Sequence, residues 1–212
     1  MPAQGPADRP RWVDRFRWML VPAAGLAALG AFARIAREVQ ERETTAVDRA
    51  VSLLLHRLDS PLMDALMLGF TFLGSFPAVA AVVVAAAIWR VRSSDRRSAV
   101  ALVLVAAVTE LLNLALKEFF QRPRPSLFQE IATLHSYSFP SGHAMASAAV
   151  YGSVATVLAR AYPARRRAIL LGACTLVLLI GLSRVYLGVH WITDVLAGWA
   201  AGAFMALAPR LR

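Results

Sequence analysis

Residues 98–116 of this chain read SAVALVLVAAVTELLNLAL, an apolar run that contains a single charged residue, Glu110. Its 19 residues would extend about 28 Å as an α-helix, close to the roughly 30 Å thickness of the hydrocarbon core of a bilayer. The run therefore predicts a helix that crosses a membrane. Basic residues flank it on both sides, in the segment 90–97 and at Lys117.

The composition of the whole chain is that of a membrane protein. Of its 212 residues, 58% are apolar and 17% are charged, and the mean hydropathy is +0.55. Soluble proteins are nearer 45–50% apolar and about 25% charged, so a soluble, disordered or collagen-like chain is excluded. The single cysteine, Cys174, excludes an internal disulfide.

Five other apolar segments predict further spans, at residues 18–33, 62–89, 142–160, 168–182 and 190–207. We therefore predict an all-α integral membrane protein, a bundle of six transmembrane helices. Segment 62–89 contains Pro77, which a bundled helix tolerates, so we expect one tilted or kinked span there. Residues 1–17 are a polar, basic tail. The following span is expected to remain as an anchor, although its small residues at positions 31 and 33 also fit a signal-peptide cleavage site.

A short amphipathic helix is predicted between the first two spans, over residues 47–58. Its apolar positions follow helical spacing and are Val47, Ala50, Val51, Leu54, Leu55 and Leu58. The polar residues Asp48, Arg49, Ser52, His56 and Arg57 lie opposite. Twelve residues are too few to span a bilayer, so we expect this helix to lie in the membrane interface.

Basic residues are distributed unevenly among the predicted loops. With a cytoplasmic N-terminus, 14 of the 23 Lys and Arg residues lie on the cytoplasmic side and nine lie outside, as the positive-inside rule requires. Three of the 13 acidic residues share the cytoplasmic side, which leaves +11 inside and −1 outside, the sum being the net +10. In a soluble protein this excess would suggest nucleic acid. Here it predicts orientation, with both termini cytoplasmic and no nucleic-acid partner.

Three polar clusters lie at the predicted outer ends of the third to sixth spans. They are residues 117–125 (KEFFQRPRP), 140–143 (PSGH) and 183–194 (SRVYLGVHWITD). The cations Lys117, Arg124 and Arg184 suit a phosphate, because Arg offers forked donors and Lys a point charge. Ser141 and Gly142 open a helix, where free backbone N–H groups and the helix dipole favour an anion.

The histidines in these clusters predict phosphoryl transfer. His190 and Asp194 are four residues apart, which places them on one face of a helix. A carboxylate there can hold Nδ1–H of the imidazole and leave Nε2 free as a nucleophile. A second histidine, His143, can protonate the leaving oxygen. Together with the three cations, this set is typical of a reaction through a phosphohistidine.

These residues resemble the three-part signature of the type 2 phosphatidic acid phosphatases, the lipid phosphate phosphatase superfamily. The patterns Lys-x6-Arg-Pro, Pro-Ser-Gly-His and Ser-Arg-x5-His-x3-Asp match in order, at 11 positions spread over about 78 residues. The resemblance implies a single membrane-embedded phosphatase domain, here residues 18–212, with six helices, no metal, no cofactor and an active site at the outer leaflet. It assigns His190 as nucleophile, Asp194 as its orienting partner and His143 as general acid. The implied phosphate-binding residues are Lys117, Arg124, Ser141, Gly142, Ser183 and Arg184.

The resemblance also suggests substrates and a location. Lipid phosphates of the family include undecaprenyl diphosphate, phosphatidylglycerol phosphate, phosphatidic acid and diacylglycerol pyrophosphate. The short chain, rich in Ala and Arg, favours a bacterial inner membrane and the first two of these lipids. The sequence leaves the oligomeric state open.

Two other functions fit parts of the pattern. A phosphotransferase would use the same phosphohistidine and pass the phosphate to a lipid or sugar acceptor. A non-enzymatic transporter of a phosphorylated solute or lipid should show repeated halves or broken midplane helices. The sequence shows no repeat, and the residues of its three polar clusters lie at one surface and not at mid-depth. Among the remaining polar residues, Glu110 and Asn113 predict an interhelical hydrogen bond or a partner for Lys117. Arg122 could supplement the phosphate site, but the two prolines near it favour a turn.

Overall fold

The computed structural model describes residues 11–127 and 136–207. Over these ranges the chain is helical and contains no β-strand, which confirms the all-α prediction. The helices are α1 (Arg11–Gln40), α2 (Thr45–His56), α3 (Pro61–Leu73), α4 (Phe76–Arg92), α5 (Arg96–Phe120), α6 (Gly142–Ala161), α7 (Arg166–Tyr186) and α8 (Ile192–Leu207), with a 3-10 turn at Pro163–Arg165.

Four segments are long and apolar enough to cross a membrane: Leu20–Gln40, Arg96–Phe120, Gly142–Ala161 and Pro163–Tyr186. Helices α3 and α4 together make a fifth candidate, bent by 49°. The predicted sixth span corresponds to α8, which is a shorter apolar helix of 16 residues. The described residues therefore form a multi-pass membrane protein with four or five candidate spans.

Helix α1 is longer than the predicted span 18–33 at both ends. Beyond the apolar run, the pairs Arg34–Glu38 and Arg37–Glu41 each lie one turn apart with N–O distances of 2.9 Å, and such pairs favour helix. The helix packs against α8 and the turn before α6, where Ala36 and Val39 form a cluster with Phe139 and Ala197. These contacts make α1 part of the packed structure, and its retention as an anchor stays a prediction.

The segment predicted as one kinked span is broken between α3 and α4, at Gly74 and Ser75. Pro77 does not cause the break from inside a helix, because it occupies the first turn of α4, where proline is tolerated. The Tyr151 hydroxyl of α6 donates to the Leu73 carbonyl oxygen at 2.6 Å. That contact satisfies a carbonyl group that the end of α3 leaves without a helical partner.

Helix α2 has the predicted length of 12 residues, and the structure shows which of its residues face the protein. Asp48 and Ser52 are each 1% exposed, whereas Val47 and Leu54 are 58% and 59% exposed. Asp48 and Ser52 therefore lie against the protein, whereas much of the apolar surface of the helix is turned outwards. In a membrane this is the favourable arrangement, because lipid accepts apolar side chains while polar groups need partners inside the protein.

Helices α6 and α8 form the most closely packed pair near the polar clusters. A Cβ atom on Gly198 would lie 2.7 Å from the Ser141 carbonyl oxygen, and one on Gly202 would lie 2.3 Å from that of Met145. Only glycine permits this approach of two backbones. The packing fixes the start of α6, at Ser141 and Gly142, against the first turns of α8.

Candidate active site

The three predicted polar clusters meet in one place. The loop after α5, the start of α6 and the segment between α7 and α8 are joined by direct hydrogen bonds. Arg124 donates to the Val189 carbonyl oxygen at 2.6 Å, and the Ser141 N–H donates to that of Asp194 at 3.0 Å. The proximity of these clusters, predicted from their spacing and topology, is confirmed by these contacts.

His190 lies just before α8 and not on it, so the predicted placement of His190 and Asp194 on one helical face is wrong. Their side chains nevertheless meet, with 3.4 Å between His190 Nδ1 and Asp194 Oδ2. The same Oδ2 accepts a hydrogen bond from the Trp191 N–H at 2.9 Å. An acid in the first turn commonly caps a helix start in this way. Helix capping, and not helical periodicity, therefore directs Asp194 towards His190.

The second nitrogen of the His190 ring, Nε2, is close to a cation. Arg124 Nη1 lies 3.4 Å from His190 Nε2. Its guanidinium is held in place by Ser136, whose carbonyl oxygen accepts from Nε at 2.7 Å and whose hydroxyl accepts from Nη2 at 2.9 Å. His190 is 2% exposed. Burial, followed by the positive charges of Arg184, Arg124 and Lys117, holds the pKa of His190 well below its usual value, so the imidazole is neutral at neutral pH.

Two further cations belong to the same pocket. Lys117 Nζ lies 3.4 Å from the Ser136 hydroxyl, which also receives Arg124. Arg184 is in the last turn of α7, is 7% exposed, and donates to the Thr71 hydroxyl of α3. Its Nε has no hydrogen-bond partner among the described residues. The pocket thus contains a buried guanidinium with donor capacity to spare.

Ser141 and Gly142 begin α6 as predicted. The Ser141 hydroxyl is buried and makes no hydrogen bond within the described part of the chain. A Cβ atom on Gly142 would lie 2.9 Å from Asn113 Oδ1, so a close neighbour in α5 restricts this position. Asn113 also donates to the Pro140 carbonyl oxygen, in the loop before α6, at 3.2 Å. Its amide nitrogen lies 3.7 Å from Met145 Sδ on α6, which is the interhelical hydrogen bond that the sequence predicted for it.

Ser183 is fully buried in α7, and its hydroxyl donates to the Ile180 carbonyl oxygen at 2.7 Å. This bond stays within one helix. The structure therefore gives the Ser183 proton an intrahelical acceptor, whereas the hydroxyls of Ser141 and Ser136 lie at the start of α6 and beside the cations. Its assignment to phosphate binding stays a prediction from the resemblance.

His143 lies in the first turn of α6, against the break between α3 and α4. A Cβ atom on Gly74 would lie 3.0 Å from His143 Cδ2 and 2.5 Å from Ile180 Cγ2. His143 follows Ser141 and Gly142 directly at the start of α6, and the absence of a side chain at Gly74 makes room for its ring.

The structure adds two residues that the sequence analysis did not assign to the site. Arg122, predicted to supplement the phosphate site or to form a turn, contacts Asp194 Oδ1 at 2.5 Å and Asp48 Oδ2 at 2.6 Å. Asp48, which the helical spacing places opposite the apolar positions of α2, is buried in this contact. No local signal in the sequence marked Asp48 as the buried member of the polar set of α2.

Comparison with known proteins identifies the family to which the chain belongs. The model of the PAP2 superfamily matches residues 98–210, more than half of the chain and all three polar clusters. The chain belongs to the PAP2 superfamily. This confirms the resemblance to the type 2 phosphatidic acid phosphatases, and this PAP2 protein is a phosphatase.

A known relative and a solved structure each match most of the length of this PAP2 chain, and a second relative matches one part of it. Phosphatidylglycerophosphatase B of Bacillus subtilis is 33% identical over 179 residues, which cover 82% of this chain and 87% of the relative. The crystal structure of a transmembrane PAP2 type phosphatidylglycerolphosphate phosphatase from Bacillus subtilis superposes with a TM-score of 0.83 at 28% identity, covering 88% of this chain and 94% of the other. Undecaprenyl-diphosphatase of Sulfolobus acidocaldarius is 40% identical over 70 residues, 33% of this chain and 31% of the relative.

Proposed function

We propose that this PAP2 phosphatase hydrolyses a lipid phosphomonoester or diphosphate through a phosphohistidine at His190. The observation that carries the proposal is that the buried His190 imidazole has a carboxylate at one nitrogen and a cation at the other. Its Nδ1 faces the Asp194 carboxylate at 3.4 Å and its Nε2 lies 3.4 Å from the Arg124 guanidinium. A nucleophile needs an orienting base on one side and a bound electrophile on the other.

In the first step, Nε2 of neutral His190 attacks phosphorus in line with the leaving oxygen. The N–P bond forms as the P–O bond to the lipid breaks, and His143 donates a proton to the departing oxygen. Asp194 keeps Nδ1 protonated and stabilises the positive charge that develops on the ring. In the second step His143 accepts a proton from water, whose oxygen attacks phosphorus and releases inorganic phosphate and neutral His190.

The transferring phosphoryl group is stabilised by the surrounding donors. Lys117, Arg124 and Arg184 neutralise charge on the equatorial oxygens, which is the main task of a protein in this chemistry. The buried Ser141 hydroxyl and the Gly142 N–H at the start of α6 add donors at a helix N-terminus, and Ser183 completes the set. All of these groups belong to the chain itself, and the reaction is proposed to need no metal and no cofactor.

The site is proposed to face the periplasmic or extracellular side of a bacterial inner membrane. If both termini are cytoplasmic, eight arginines also fall on the cytoplasmic side, as the positive-inside rule favours. Four are at the adjoining ends of α4 and α5 (Arg90, Arg92, Arg96 and Arg97), and four are around the turn between α6 and α7 (Arg160, Arg165, Arg166 and Arg167). The clusters of the site are at the opposite ends of these helices. Counting α3 with α4 as one bent span and α8 as another gives six spans.

The proposed substrates are phosphatidylglycerol phosphate and undecaprenyl diphosphate, with phosphatidic acid as a further member of the class. The similarity to a phosphatidylglycerophosphatase over 82% of the chain supports the first, and the shorter match to an undecaprenyl-diphosphatase supports the second. A phosphotransferase would share the first step, so release of inorganic phosphate without an added acceptor distinguishes hydrolysis from transfer.

The test is a phosphate-release assay on the purified protein in detergent, over lipid monophosphates and prenyl diphosphates, with and without chelator. The wild type is expected to release phosphate from at least one lipid in the presence of chelator. His190→Gln is expected to lose at least about 1,000-fold of the rate, since removing a member of a catalytic unit costs this much or more. His56→Gln, on the exposed end of α2, is the matched control. Full activity of His190→Gln would refute the proposal.

A further inference from the structure

Arg122 lies between two buried carboxylates. Nη1 donates to Asp194 Oδ1 at 2.5 Å and to the Thr193 hydroxyl at 2.8 Å. Nη2 donates to Asp48 Oδ2 at 2.6 Å and to the Thr44 hydroxyl at 3.3 Å. The guanidinium therefore bridges the start of α8 to α2, two elements that are 145 residues apart in sequence at Asp48 and Thr193.

Asp48 strengthens the same junction from the other side. Its Oδ1 accepts from the Thr193 N–H at 3.0 Å and from the Thr193 hydroxyl at 2.8 Å. Asp48 thus caps the first turn of α8 from a different helix, satisfying a backbone donor that has no intrahelical partner. This network explains why the Asp48 side chain of α2 is turned towards the protein.

The network determines how the Asp194 carboxylate is rotated. Asp194 is fully buried, and its two oxygens have separate tasks. Oδ1 receives Arg122, while Oδ2 receives the Trp191 N–H and faces His190 Nδ1. A carboxylate fixed on one oxygen by a charge-assisted bond has little freedom to turn the other away. Loss of Arg122 would also leave buried acidic groups without their cation, which is costly.

Arg122 and Arg124 are two residues apart in one loop and serve opposite sides of the catalytic histidine. Arg124 is beside Nε2, where the phosphate is proposed to bind. Arg122 reaches the histidine only through Asp194, and its guanidinium also lies over the Trp191 ring, 5.7 Å from the centroid. Arg122 therefore supports the nucleophile through Asp194, whereas Arg124 belongs to the proposed phosphate pocket.

We propose that Arg122 and Asp48 are positioning residues for the phosphatase reaction: they hold the Asp194 carboxylate towards His190 and thereby couple α2 to the active site. This inference rests on the proposed function of His190 and Asp194. It assigns a role to two charged residues that are not among the 11 constrained positions of the signature. One of them, Asp48, lies in α2, before the matched family region 98–210.

The experiment compares Arg122→Gln, Asp48→Asn and their double variant with Arg124→Gln in the purified full chain. Both positioning variants are expected to lower kcat by on the order of 100-fold, since small displacements at a reacting centre have this effect. KM and the inhibition constant of inorganic phosphate should stay within about threefold, because neither residue touches the phosphate. Arg124→Gln should instead raise the phosphate inhibition constant. Arg122→Lys, which keeps the charge, should recover part of the lost kcat.

The double variant shows whether Arg122 and Asp48 act through one another or lower kcat independently. If Arg122 and Asp48 act through one another, adding Asp48→Asn to Arg122→Gln costs far less than the 100-fold expected of each alone. An unchanged kcat in both single variants would overturn the inference, as would a rise in the phosphate inhibition constant equal to that of Arg124→Gln.

Two controls keep these outcomes distinct from misfolding and from failure of the proposed function. Thermal unfolding in detergent verifies each variant, and if Arg122→Gln does not purify as a folded protein, the nearly isosteric Asp48→Asn decides the question by the same split between kcat and KM. If His190→Gln is fully active, the proposed function fails. If His190→Gln is inactive while Asp48→Asn and Arg122→Gln keep the wild-type kcat, only the positioning role fails.

Discussion

The two halves of the molecule contribute to the site in different ways. Every residue assigned to catalysis or phosphate binding lies between Lys117 and Asp194, on or beside α5–α8, and α6 and α8 each bury nine residues. Helix α3, by contrast, buries none, and α2 buries only Asp48 and Ser52. The second half therefore has a packed protein core, while much of the first half exposes apolar side chains as a membrane requires.

The first half nevertheless reaches the site through a few specific contacts. Asp48 binds Arg122, Thr71 receives Arg184, the Leu73 carbonyl receives Tyr151, and Gly74 lies against His143. None of these groups is proposed to touch phosphate. The comparison suggests that the second half supplies the reacting groups and the first half sets their geometry.

A substitution at Gly74 tests this division with the largest expected effect. A Cβ atom there would lie 2.5 Å from Ile180 Cγ2 and 3.0 Å from His143 Cδ2, so Gly74→Ala must displace His143 or the helix break. We expect kcat to fall by on the order of 100-fold, measured as phosphate release.

Gly69→Ala is the matched control, because Gly69 lies in α3, the helix that Gly74 ends, and its Cβ would meet nothing within 4 Å. It should retain wild-type activity. Equal activity in both variants would show that the first half does not constrain the position of His143, and the comparison between the halves would have to be abandoned.

The protonation of His190 tests the electrostatics of the second half, and here the expected effect is smaller. Burial and then the charges of Arg184, Arg124 and Lys117 lower the pKa of His190, so its neutral form persists as the pH falls through the ordinary histidine value of about 6.5. In phosphate-free buffer, the ¹³C-histidine resonance that His190→Gln removes should titrate with a midpoint below the ordinary histidine value of about 6.5.

A midpoint near the ordinary value for this resonance would contradict the described electrostatics. The same measurement on Gly74→Ala sharpens the comparison, since that variant leaves all three cations in place. Its His190 should keep a lowered midpoint even though its activity is low.

Much of this architecture could be predicted from the sequence. The run 98–116 lies inside α5, and α6 begins at Gly142 as expected, because apolar length and helix-start residues are local signals. The three clusters also meet, since topology brings loops on one side of a membrane together. The family motifs narrowed the chemistry further.

The rest depended on contacts that local patterns do not encode. Periodicity located α2 but gave no indication of which face would meet the protein, because a membrane reverses the usual preference. Arg122 resembled a turn residue until its partner in α2 was known. His190 and Asp194 are four residues apart, but His190 lies in the loop before α8 and Asp194 in the first turn of that helix. Their side chains meet because Asp194 caps the start of α8, and a separation of four residues does not distinguish this arrangement from two turns of one helix.

The central claim is that His190 becomes covalently phosphorylated. The most direct measurement mixes the enzyme with a ³²P-labelled lipid phosphate, quenches in alkali within milliseconds and follows protein-bound label. We predict label that survives alkali, is released by acid as a phosphohistidine requires, maps to the peptide containing His190 and is absent from His190→Gln. Label on another residue, or a His190→Gln variant that still becomes labelled and turns over, would contradict the account.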